Sequence, residues 1–517
     1  MRVDTTNRAF KAALLLIEET NFNVFLTGKA GTGKTTFLKY IKSHVQKKTA
    51  IVAPTGVAAV NAGGMTIHSL FQIPPSVYPP NDPRLQSKGS VGKGGLSIRS
   101  HFKISNQRRK LFAELELLVI DEISMVRCDL LDVLDKLLRT FGGVHHLPFG
   151  GKQVLFIGDP YQLPPVAPED QWDVLEPHYR SPYFFSAHSW NEARPKLIEL
   201  RKVYRQHDQG FIDVLNRIRA GEHQRADLDL LNENWVPPTF DYAQASYIYL
   251  GTTNRDVDWR NQKELDRLPN ECFSYYATVM GDFKTADMPT PPELQLKVGA
   301  QVMFVKNAVG DARRYFNGKI GKVMALDADT IRIDCSKPGE IPEEPIEVNR
   351  ALWRKIRYEW DSAARKIEEI ETGSYEQFPV KLAWAITVHK SQGLTFEHVY
   401  ANLNGAFAAG QTYVALSRCT HLGGLKLATR LRWNDIKVDE EVKVFTRDFA
   451  NDAEIDALLD NTAYQVASEE IENNIATGQL AEAVPLLWEL KQDFPDYDQE
   501  TMALEAKLLA AIRAQAK

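Results

Sequence analysis

A glycine-rich stretch near the start of the chain has the residue types and spacing needed to hold a phosphate. In FLTGKAGTGKTTF, residues 25–37, Gly28, Gly33 and Lys34 follow the pattern GxxxxGK, and a threonine comes next. An apolar run precedes the stretch, and residues 37, 41 and 45 after it are apolar at helical spacing. Glycines let backbone N–H groups turn toward phosphate oxygens, and a helix N-terminus favours negative charge. The stretch therefore predicts a phosphate loop between a strand and a helix, with an ordinary glycine-rich turn as the alternative.

The polar residues of this loop have distinct predicted roles. We expect Lys34 to reach the β and γ phosphates of a nucleotide and Thr35 to bind Mg²⁺. The predicted nucleotide-binding residues of the loop are Gly28, Ala30, Gly31, Thr32, Gly33, Lys34, Thr35 and Thr36. ATP and Mg²⁺ are therefore the expected cofactors.

Hydrolysis also requires carboxylates, and a second motif supplies them. The apolar run LELLVI ends in Asp121 and Glu122, and side chains at the end of such a strand point into the crevice where ligands bind. We expect Asp121 to hold Mg²⁺ through water and Glu122 to orient or deprotonate the attacking water. A third run, VLFIGDPYQLPPV, places Gln162 in a polar turn where it could sense the γ-phosphate. A plain proline-rich turn is the alternative for Gln162.

The bulk composition limits the class of protein that must position these residues. The chain has 517 residues, of which 44% are hydrophobic and 25% charged, as is typical of a soluble protein of several domains. It lacks the run of about 18 apolar residues that a membrane helix needs, and its first residues include charges where a secretion signal needs an apolar core. We expect a cytoplasmic, nucleoid-associated protein if the source is bacterial, and a nuclear or mitochondrial one if it is eukaryotic. The four cysteines are widely spaced and predict neither a zinc site nor a disulfide framework.

The net charge of −5 hides an uneven distribution. Residues 431–517 have 8 Lys and Arg against 19 Asp and Glu, whereas the residues before them have 54 against 48. A basic body with an acidic tail favours a nucleic-acid partner for the body. The tail has apolar residues at helical spacing, and GQLAEAVPLLWELKQDF resembles a single tetratricopeptide-type helix. Because one such repeat cannot bury its own apolar face, we expect the tail to dock on the body or to bind a protein partner.

The ordered motifs resemble those of superfamily-one helicases and, within them, the Pif (petite integration frequency) family of the Pif/RecD branch. The segments that carry the resemblance are FLTGKAGTGKTTF, APTGVAAVNAGGMTIHSLF, LLVIDEISMV, GDPYQLPPV, VYRQ, TVHKSQGLTF and YVALSRCT. They occur in family order over about residues 5–430. The segment after DEISMV looks like the family's signature helix, although its leucines would suit a plain amphipathic core helix as well.

The resemblance implies an α/β fold with two RecA-like P-loop domains, a small inserted SH3-like β domain and a C-terminal helical extension. The predicted boundaries are residues 1–192 for the first RecA-like domain with a wedge insertion at about 64–110, residues 193–293 and 382–430 for the second, 294–381 for the inserted domain, and 431–517 for the acidic extension. Near the wedge, we expect a basic patch with Arg108, Arg109 and Lys110 to contact duplex DNA. In the inserted domain, charged and aromatic residues alternate and could contact a DNA strand; they are Lys306, Arg313, Arg314, Tyr315 and Phe316. A hairpin with a solvated charged tip is an equal alternative.

The resemblance also assigns residues outside the phosphate loop. Arg205 in VYRQ and Arg418 in LSR would neutralise charge on the γ-phosphate from across the domain interface, and Gly393 would lie at the nucleotide. The blocks APTGVAAV and TVHKSQG would hold single-stranded DNA mainly by its phosphates and sugars. The predicted DNA-binding residues are Pro54, Thr55, Gly56, Val57, His68, Phe71, Thr387, His389, Lys390 and Ser391.

The function implied by the resemblance is that of an ATP-dependent DNA helicase. It would move five-prime to three-prime along single-stranded DNA as a monomer and act at junctions of single- and double-stranded DNA, with G-quadruplex DNA and RNA–DNA hybrids as further candidate substrates. One departure from the family is the absence of a glutamine before the first strand, so adenine selectivity is assigned by analogy alone. A translocase that does not unwind DNA and a nucleotide-gated DNA-binding module are the alternatives, and Glu122, Arg205 and Arg418 argue against the second.

Overall fold

The protein folds into two α/β lobes, an inserted set of antiparallel sheets and a C-terminal group of helices. The computed structural model describes residues 4, 7–86, 97–206, 208–306, 308, 314–315, 317–336, 344–361, 366–406, 408–447, 449 and 452–515. Its helices are α1 Arg8–Glu19, α2 Lys34–His44, α3 Gly56–Ala62, α4 Ile67–Phe71, α5 Ile98–His101, α6 Asn106–Glu114, α7 Cys128–Phe141, α8 Glu169–Leu175, α9 His188–Ala193, α10 Gln209–Ala220, α11 Arg225–Asn232, α12 Asn254–Arg267, α13 Gln411–Leu416, α14 Glu440–Arg447, α15 Asp452–Ala476, α16 Leu480–Asp493 and α17 Asp498–Gln515. Its strands are β1 Val24–Gly28, β2 Thr49–Ala53, β3 Met65–Thr66, β4 Leu117–Ile120, β5 Gln153–Ile157, β6 Lys196–Leu200, β7 Ile248–Gly251, β8 Phe273–Tyr276, β9 Thr278–Gly281, β10 Glu293–Leu296, β11 Gln301–Phe304, β12 Ile320–Leu326, β13 Thr330–Asp334, β14 Ile346–Asn349, β15 Ala351–Asp361, β16 Lys366–Gln377, β17 Val380–Leu382, β18 Ala385–Thr387, β19 Val399–Ala401 and β20 Leu425–Leu427.

The first lobe is built on a parallel sheet with the strand order β3-β2-β4-β5-β1-β6. Its strands are short and apolar because both faces are covered, as parallel sheets require. Successive side chains of β1 separate onto these faces: Val24 and Leu26 join a core with α1 and α2, whereas Phe25 joins a second core with α7 and α9. This arrangement places the carboxyl ends of β1, β4 and β5 side by side, where the phosphate loop and the carboxylate motif begin.

The second lobe has a four-stranded parallel sheet with the order β18-β7-β19-β20. One of its faces packs on α10, α11 and α13, and the other, through Tyr249 and Tyr400, joins the core of the inserted sheet. The structure corrects the predicted start of the second domain. Strand β6, residues 196–200, pairs with β1 along its whole length and belongs to the first lobe, although the second domain is predicted to start at 193.

The strands that the structure describes in the inserted part pair with one another in antiparallel fashion. Its main sheet has the order β14-β13-β12-β11-β17, and a long hairpin of β15 and β16 pairs with β9. Strand β8 pairs with β10, and β9 pairs with β16. The insertion therefore begins near Phe273 and not at 294. Gly318 adopts a left-handed φ of 98° in the turn just before β12, a conformation that favours glycine.

The acidic tail returns from the second lobe to the first. We call residues 436–447 the C-terminal strap, because Ile436 lies in the core of the second lobe while Phe445 packs against that of the first. Helices α15, α16 and α17 then form a small bundle with its own apolar core. The bundle docks on the body through α15, which contacts α1 and forms an ion pair between Asp456 and Arg8. Docking on the body, one of the two expected roles of the tail, is therefore present in the structure.

Two further findings concern the chain as a whole. None of the helices in the described residues has the length and apolar character needed to cross a bilayer. All four cysteines are free thiols, with Cys128 and Cys419 buried.

Candidate nucleotide and DNA site between the lobes

The glycine-rich stretch forms a loop whose conformation requires its glycines. Gly31 and Gly33 have φ values of 82° and 99°, in the left-handed region, and Gly33 precedes the first residue of α2. A Cβ on Gly31 would lie 2.4 Å from the Cβ of Arg205, so this position also has no space for a side chain. The loop therefore opens directly onto the N-terminus of α2, as a phosphate site demands.

The ammonium group of Lys34 lies inside the loop, in a position suited to bind an anion. Its Nζ donates hydrogen bonds to the carbonyl oxygens of Gly28 at 2.5 Å and Lys29 at 3.1 Å. Burial lowers the pKa of Lys34, because a charged ammonium is poorly solvated there. Phosphate oxygens in the loop would stabilise the charged form of Lys34, so the residues present fit the predicted nucleotide.

The carboxylates of the second motif lie at the same end of the sheet and fit a divalent cation. Burial and the neighbouring Glu122 raise the pKa of Asp121 to about 7. Among the residues that the structure describes, no Lys, Arg or His forms an ion pair with Asp121. A cation held near Asp121 and Thr35 would restore the ionised carboxylate, as expected for Mg²⁺ bound with phosphate.

Glu122 is held in an unusual backbone conformation. Its φ of 52° and ψ of 44° are left-handed, which is uncommon for a residue with a side chain and is found more often at functional sites. Its carboxylate accepts a hydrogen bond of 2.8 Å from Nε2 of Gln392, which also donates to Gln162 at 3.2 Å. Gln392, from the second lobe, thus links the two first-lobe residues that we expect to position water and sense phosphate. The sequence analysis did not single it out, although it lies inside TVHKSQG.

Both predicted arginines lie at the cavity that contains Lys34 and Glu122. Burial lowers the pKa of Arg205 to about 10, and the Nη1 atom of this guanidinium is buried with no hydrogen-bond partner. Such an orphaned donor beside Gly31 is the kind of group that a phosphate oxygen would satisfy. Arg418 is 1% exposed, and its own lobe holds it through the carbonyl oxygens of Val414 and Leu394 at 2.8 and 3.2 Å. Both arginines thus border the same cavity as Lys34 and Glu122, and Arg418 is held by more hydrogen bonds from its own lobe than Arg205.

The lobes are joined by polar contacts that the sequence analysis missed. Asp159 from the first lobe and Arg219 from α10 form a buried ion pair, with Nη2 2.8 Å from Oδ1. The backbone N–H of Ala30 in the phosphate loop donates to the hydroxyl of Tyr413 at 3.0 Å. Asp159 and Tyr413 stand inside GDPYQ and YVALSR, so the motifs were the available signal, whereas Arg219 lies in no motif. These contacts tie the second lobe to the first, and the one from Ala30 ties it to the phosphate loop itself.

A cavity of about 1890 Å³ runs from the phosphate loop to the inserted sheet. Three of the predicted DNA-binding residues, Thr55, His389 and Lys390, line it. Thr55 also caps α3, because its hydroxyl accepts the N–H of Ala58. The cavity is lined by both lobes and the insertion, which is the arrangement expected of a channel for a strand.

Several of the other predicted DNA contacts are contradicted by burial. Phe71 is fully buried and stacks on Phe112 at 5.1 Å between ring centres, so it belongs to the core of the first lobe. The hydroxyl of Ser391 is buried and donates to the carbonyl of Val388, and the buried hydroxyl of Thr387 accepts the N–H of Lys390. The hydroxyls of Thr387 and Ser391 stabilise the turn after β18. None of the three side chains faces a bound DNA strand. They were mispredicted because a motif does not show which of its side chains turn inward.

The DNA-binding roles of the remaining residues, which are His68, Pro54, Gly56 and Val57, stay predictions. His68 is half-buried, and burial lowers its pKa, with Arg127 adding to that effect. Pro54 and Gly56 flank Thr55 at the start of α3 and are partly exposed. The side chain of Val57 lies outside the part of the chain that the structure describes.

The predicted wedge and insertion contacts are also partly corrected. Arg108 is buried, and its guanidinium donates to the carbonyl of Leu70 at 2.6 Å, so it holds α4 in place and does not face duplex DNA. In the insertion, Lys306 donates to the carbonyl of Leu352, and Tyr315 stacks on Phe304 at 4.2 Å. Arg314 pairs with Glu344 on the surface. Arg313 and Phe316 lie outside the described residues.

Comparison with known proteins finds a family model and related chains. Residues 6–228 match the family described as PIF1-like helicase. The ATP-dependent DNA helicase PIF1 of Mus musculus is 32% identical over 434 residues, which cover 81% of this chain and 59% of the mouse protein. The chain thus spans somewhat less than two thirds of the length of this curated relative.

Two solved structures of Pif1 from Bacteroides sp. extend the comparison to three dimensions. The unliganded protein is 36% identical, with 87% of this chain and 98% of that chain covered, and has a TM-score of 0.75. The same helicase in complex with ADP-AlF3 and ssDNA is 36% identical at the same coverage, with a TM-score of 0.59. The predicted α/β fold with RecA-like domains and C-terminal helices is confirmed, as is the resemblance to the Pif family. The TM-score is thus lower for the complex with ADP-AlF3 and ssDNA than for the unliganded protein.

Proposed function

Because the chain belongs to the PIF1-like helicase family, we propose that it is a magnesium- and ATP-dependent DNA helicase. It moves along single-stranded DNA and separates the strands of duplex DNA at a junction, with G-quadruplex DNA and RNA–DNA hybrids as further candidate substrates. By family membership the direction of movement is five-prime to three-prime. The basic cycle needs one copy of the chain.

One observation carries this proposal: a single cavity is lined by Lys34 and Glu122 from the first lobe and by Arg418 from the second, with Arg205 in the connection between them. A site divided in this way changes whenever the lobes move relative to one another. Hydrolysis of one nucleotide can therefore be linked to opening and closing of the channel. A nucleotide site confined to one lobe would supply chemistry without motion.

Different residues of the chain carry out the separate steps of ATP hydrolysis. Lys34 and the loop N–H groups bind phosphate, and Asp121 with Thr35 would hold Mg²⁺, which neutralises charge on the phosphates when bound. Glu122 holds and deprotonates the attacking water, a role that requires its ionised form. Arg205 and Arg418 stabilise the charge that develops on the transferred phosphoryl group. Through its hydrogen bond to Glu122, Gln392 couples changes at Glu122 to the turn that contains His389 and Lys390.

The test is phosphate release by the wild-type chain and by Lys34→Ala with single-stranded DNA, RNA, duplex DNA or no nucleic acid. We expect single-stranded DNA to raise the wild-type rate and Lys34→Ala to show none of this activity. Robust DNA-stimulated turnover by Lys34→Ala would remove the proposed role of the loop.

Unwinding needs its own measurement, because a translocase can move without opening duplex DNA. We propose strand displacement on two duplexes that are identical except for a five-prime or a three-prime single-stranded tail. Displacement of the five-prime-tailed substrate alone supports the proposal. Movement along single strands without displacement of either duplex would assign the chain to the non-unwinding translocases.

A further inference from the structure

Strand β17 carries a lysine that none of the predicted motifs includes. Along this strand Val380 and Leu382 pack with the core of the inserted sheet. Because strand residues alternate between faces, Lys381 between them points the other way, toward the second lobe. Its partner across the strands is Met303, which belongs to the core of that lobe. Lys381 therefore lies where the inserted sheet meets the second lobe, and it lines the cavity described above.

The charge of Lys381 has no carboxylate to balance it. Among the residues that the structure describes, neither Lys381 nor Lys390 has an Asp or Glu within ion-pair distance. Burial, followed by the nearby charge of Lys390, lowers the pKa of Lys381 to about 8. Lys381 is half-buried and Lys390 is exposed, and taking a cation even partly out of water without a partner is costly. Two neighbouring lysines that face one cavity without a counter-ion form a site for an anion.

The residues that line the cavity indicate which kind of anion binds there. His389 and Tyr315 line the same cavity as the two lysines, so rings and positive charges both border it. Phosphate-binding cations next to rings that can stack with bases are the chemistry of a single-stranded nucleic-acid groove. The phosphate loop lies in the same cavity but has its own lysine, Lys34, so Lys381 is not needed there.

We propose that Lys381, together with Lys390, binds a backbone phosphate of the single strand where it passes between the inserted sheet and the second lobe. This inference rests on the proposed function, since it requires a DNA strand in the cavity. It makes the inserted sheet a direct part of the strand grip through a residue of its last strand.

The test is binding of a fluorescein-labelled oligodeoxythymidine to the full chain, by anisotropy, without nucleotide and at several salt concentrations. The variants are Lys381→Gln, Lys381→Met and Lys381→Arg. The matched control is Lys322→Gln, which changes an exposed lysine of the same sheet that does not line the cavity. A melting curve of each variant checks that it is folded. Methionine retains an unbranched apolar side chain at this position. Lys381→Met therefore provides a folded neutral variant if Lys381→Gln is unstable.

Loss of one charge-assisted contact should weaken binding about tenfold at low salt. The slope of log affinity against log salt should become shallower by about 0.7, the value for one phosphate contact on a single strand. Between about 50 and 200 mM salt, the ratio of wild-type to variant affinity should then shrink about 2.6-fold. Lys381→Arg should keep most of the affinity, and Lys322→Gln should match the wild type.

The outcomes separate this inference from the function on which it rests. If the wild-type chain binds the oligonucleotide while folded Lys381→Gln and Lys381→Met show the wild-type salt slope, Lys381 does not bind a phosphate and the inference is overturned. If the wild-type chain binds no single-stranded DNA at all, the proposed function falls and takes the inference with it.

Discussion

The buried ion pair between Asp159 and Arg219 should make a large contribution to holding the two lobes together. Asp159 is fully buried and Arg219 is 8% exposed at its side chain, and Nε of Arg219 also lies 3.3 Å from both carboxylate oxygens. Burial alone would raise the pKa of Asp159, but Arg219 and Lys34 outweigh it and hold that pKa below its usual range. The carboxylate is therefore ionised at neutral pH, and its stabilising effect is lost only as the pH falls through this lowered pKa.

Replacing Asp159 by Asn should be costly because it leaves the guanidinium of Arg219 buried and unpaired. Breaking a buried pair in this way costs about 3–5 kcal/mol. The ring of Tyr161, 4.3 Å from the guanidinium carbon, keeps Arg219 in place and prevents its escape to water. With a shift of roughly 2–4 °C per kcal/mol for domains of this size, we expect the melting temperature to fall by about 6 °C or more.

The assay is a thermal melt of four proteins: the wild type, Asp159→Asn, Arg219→Met and the double variant. The double variant should melt above Asp159→Asn, since it has no unpaired buried charge. The control is Lys507→Met, which breaks an exposed pair with Glu472 and should shift the melt very little. If Asp159→Asn melted within about 1 °C of the wild type, the reasoning about this pair would be refuted.

Three further predictions follow from the site and the strap. Glu122→Gln should bind nucleotide and single-stranded DNA but release phosphate at least about 100-fold more slowly, since it lacks the base that activates water; normal turnover in a phosphate assay would contradict that role. Because the pKa of Asp121 is raised to about 7, its carboxyl is protonated below that pH, so Mg²⁺ titrations of the nucleotide-bound protein should give weaker binding at pH 6 than at pH 8, and equal affinities would argue against Asp121 as a ligand. Phe445→Ala removes a ring stacked on Phe185 at 4.2 Å between the strap and the first lobe, and urea unfolding should show a loss of about 3 kcal/mol; Val444→Ala, at an exposed position of the same helix, is the control and should lose much less.

The nucleotide site was largely predictable from the sequence because its chemistry is local. Gly28, Gly33 and Lys34 define their own conformation, and an apolar strand followed by Asp121 and Glu122 fixes where those carboxylates emerge. Arg205 and Arg418 could be placed only by the family resemblance, since a lone arginine has no local pattern that aims it at a phosphate. The continuous apolar run at residues 24–26 in β1 likewise implies a strand that is covered on both faces.

Contacts between distant segments could not be predicted in the same way. Arg219 pairs with Asp159 across 60 positions, and nothing in α10 distinguishes it from a surface arginine. Phe71 stands in a motif that is predicted to hold DNA, and Arg108 has polar and basic neighbours in the sequence. Only the folded structure shows that Phe71 packs on Phe112 and that Arg108 donates to the carbonyl of Leu70. The arrangement of lobes and insertion also depends on many weak surfaces, and the fall in TM-score between the unliganded relative and its complex with ADP-AlF3 and ssDNA shows that it differs between structures of one protein.

In the proposed function the two lobes share one nucleotide site, so that DNA in the channel and hydrolysis at the loop depend on each other. The most direct measurement is the rate of phosphate release with and without single-stranded DNA for the wild type and for Arg205→Ala, with nucleotide binding measured in parallel. We predict that DNA raises the wild-type rate and that Arg205→Ala still binds nucleotide but shows no increase. Wild-type stimulation by DNA in the Arg205→Ala protein would contradict the claim.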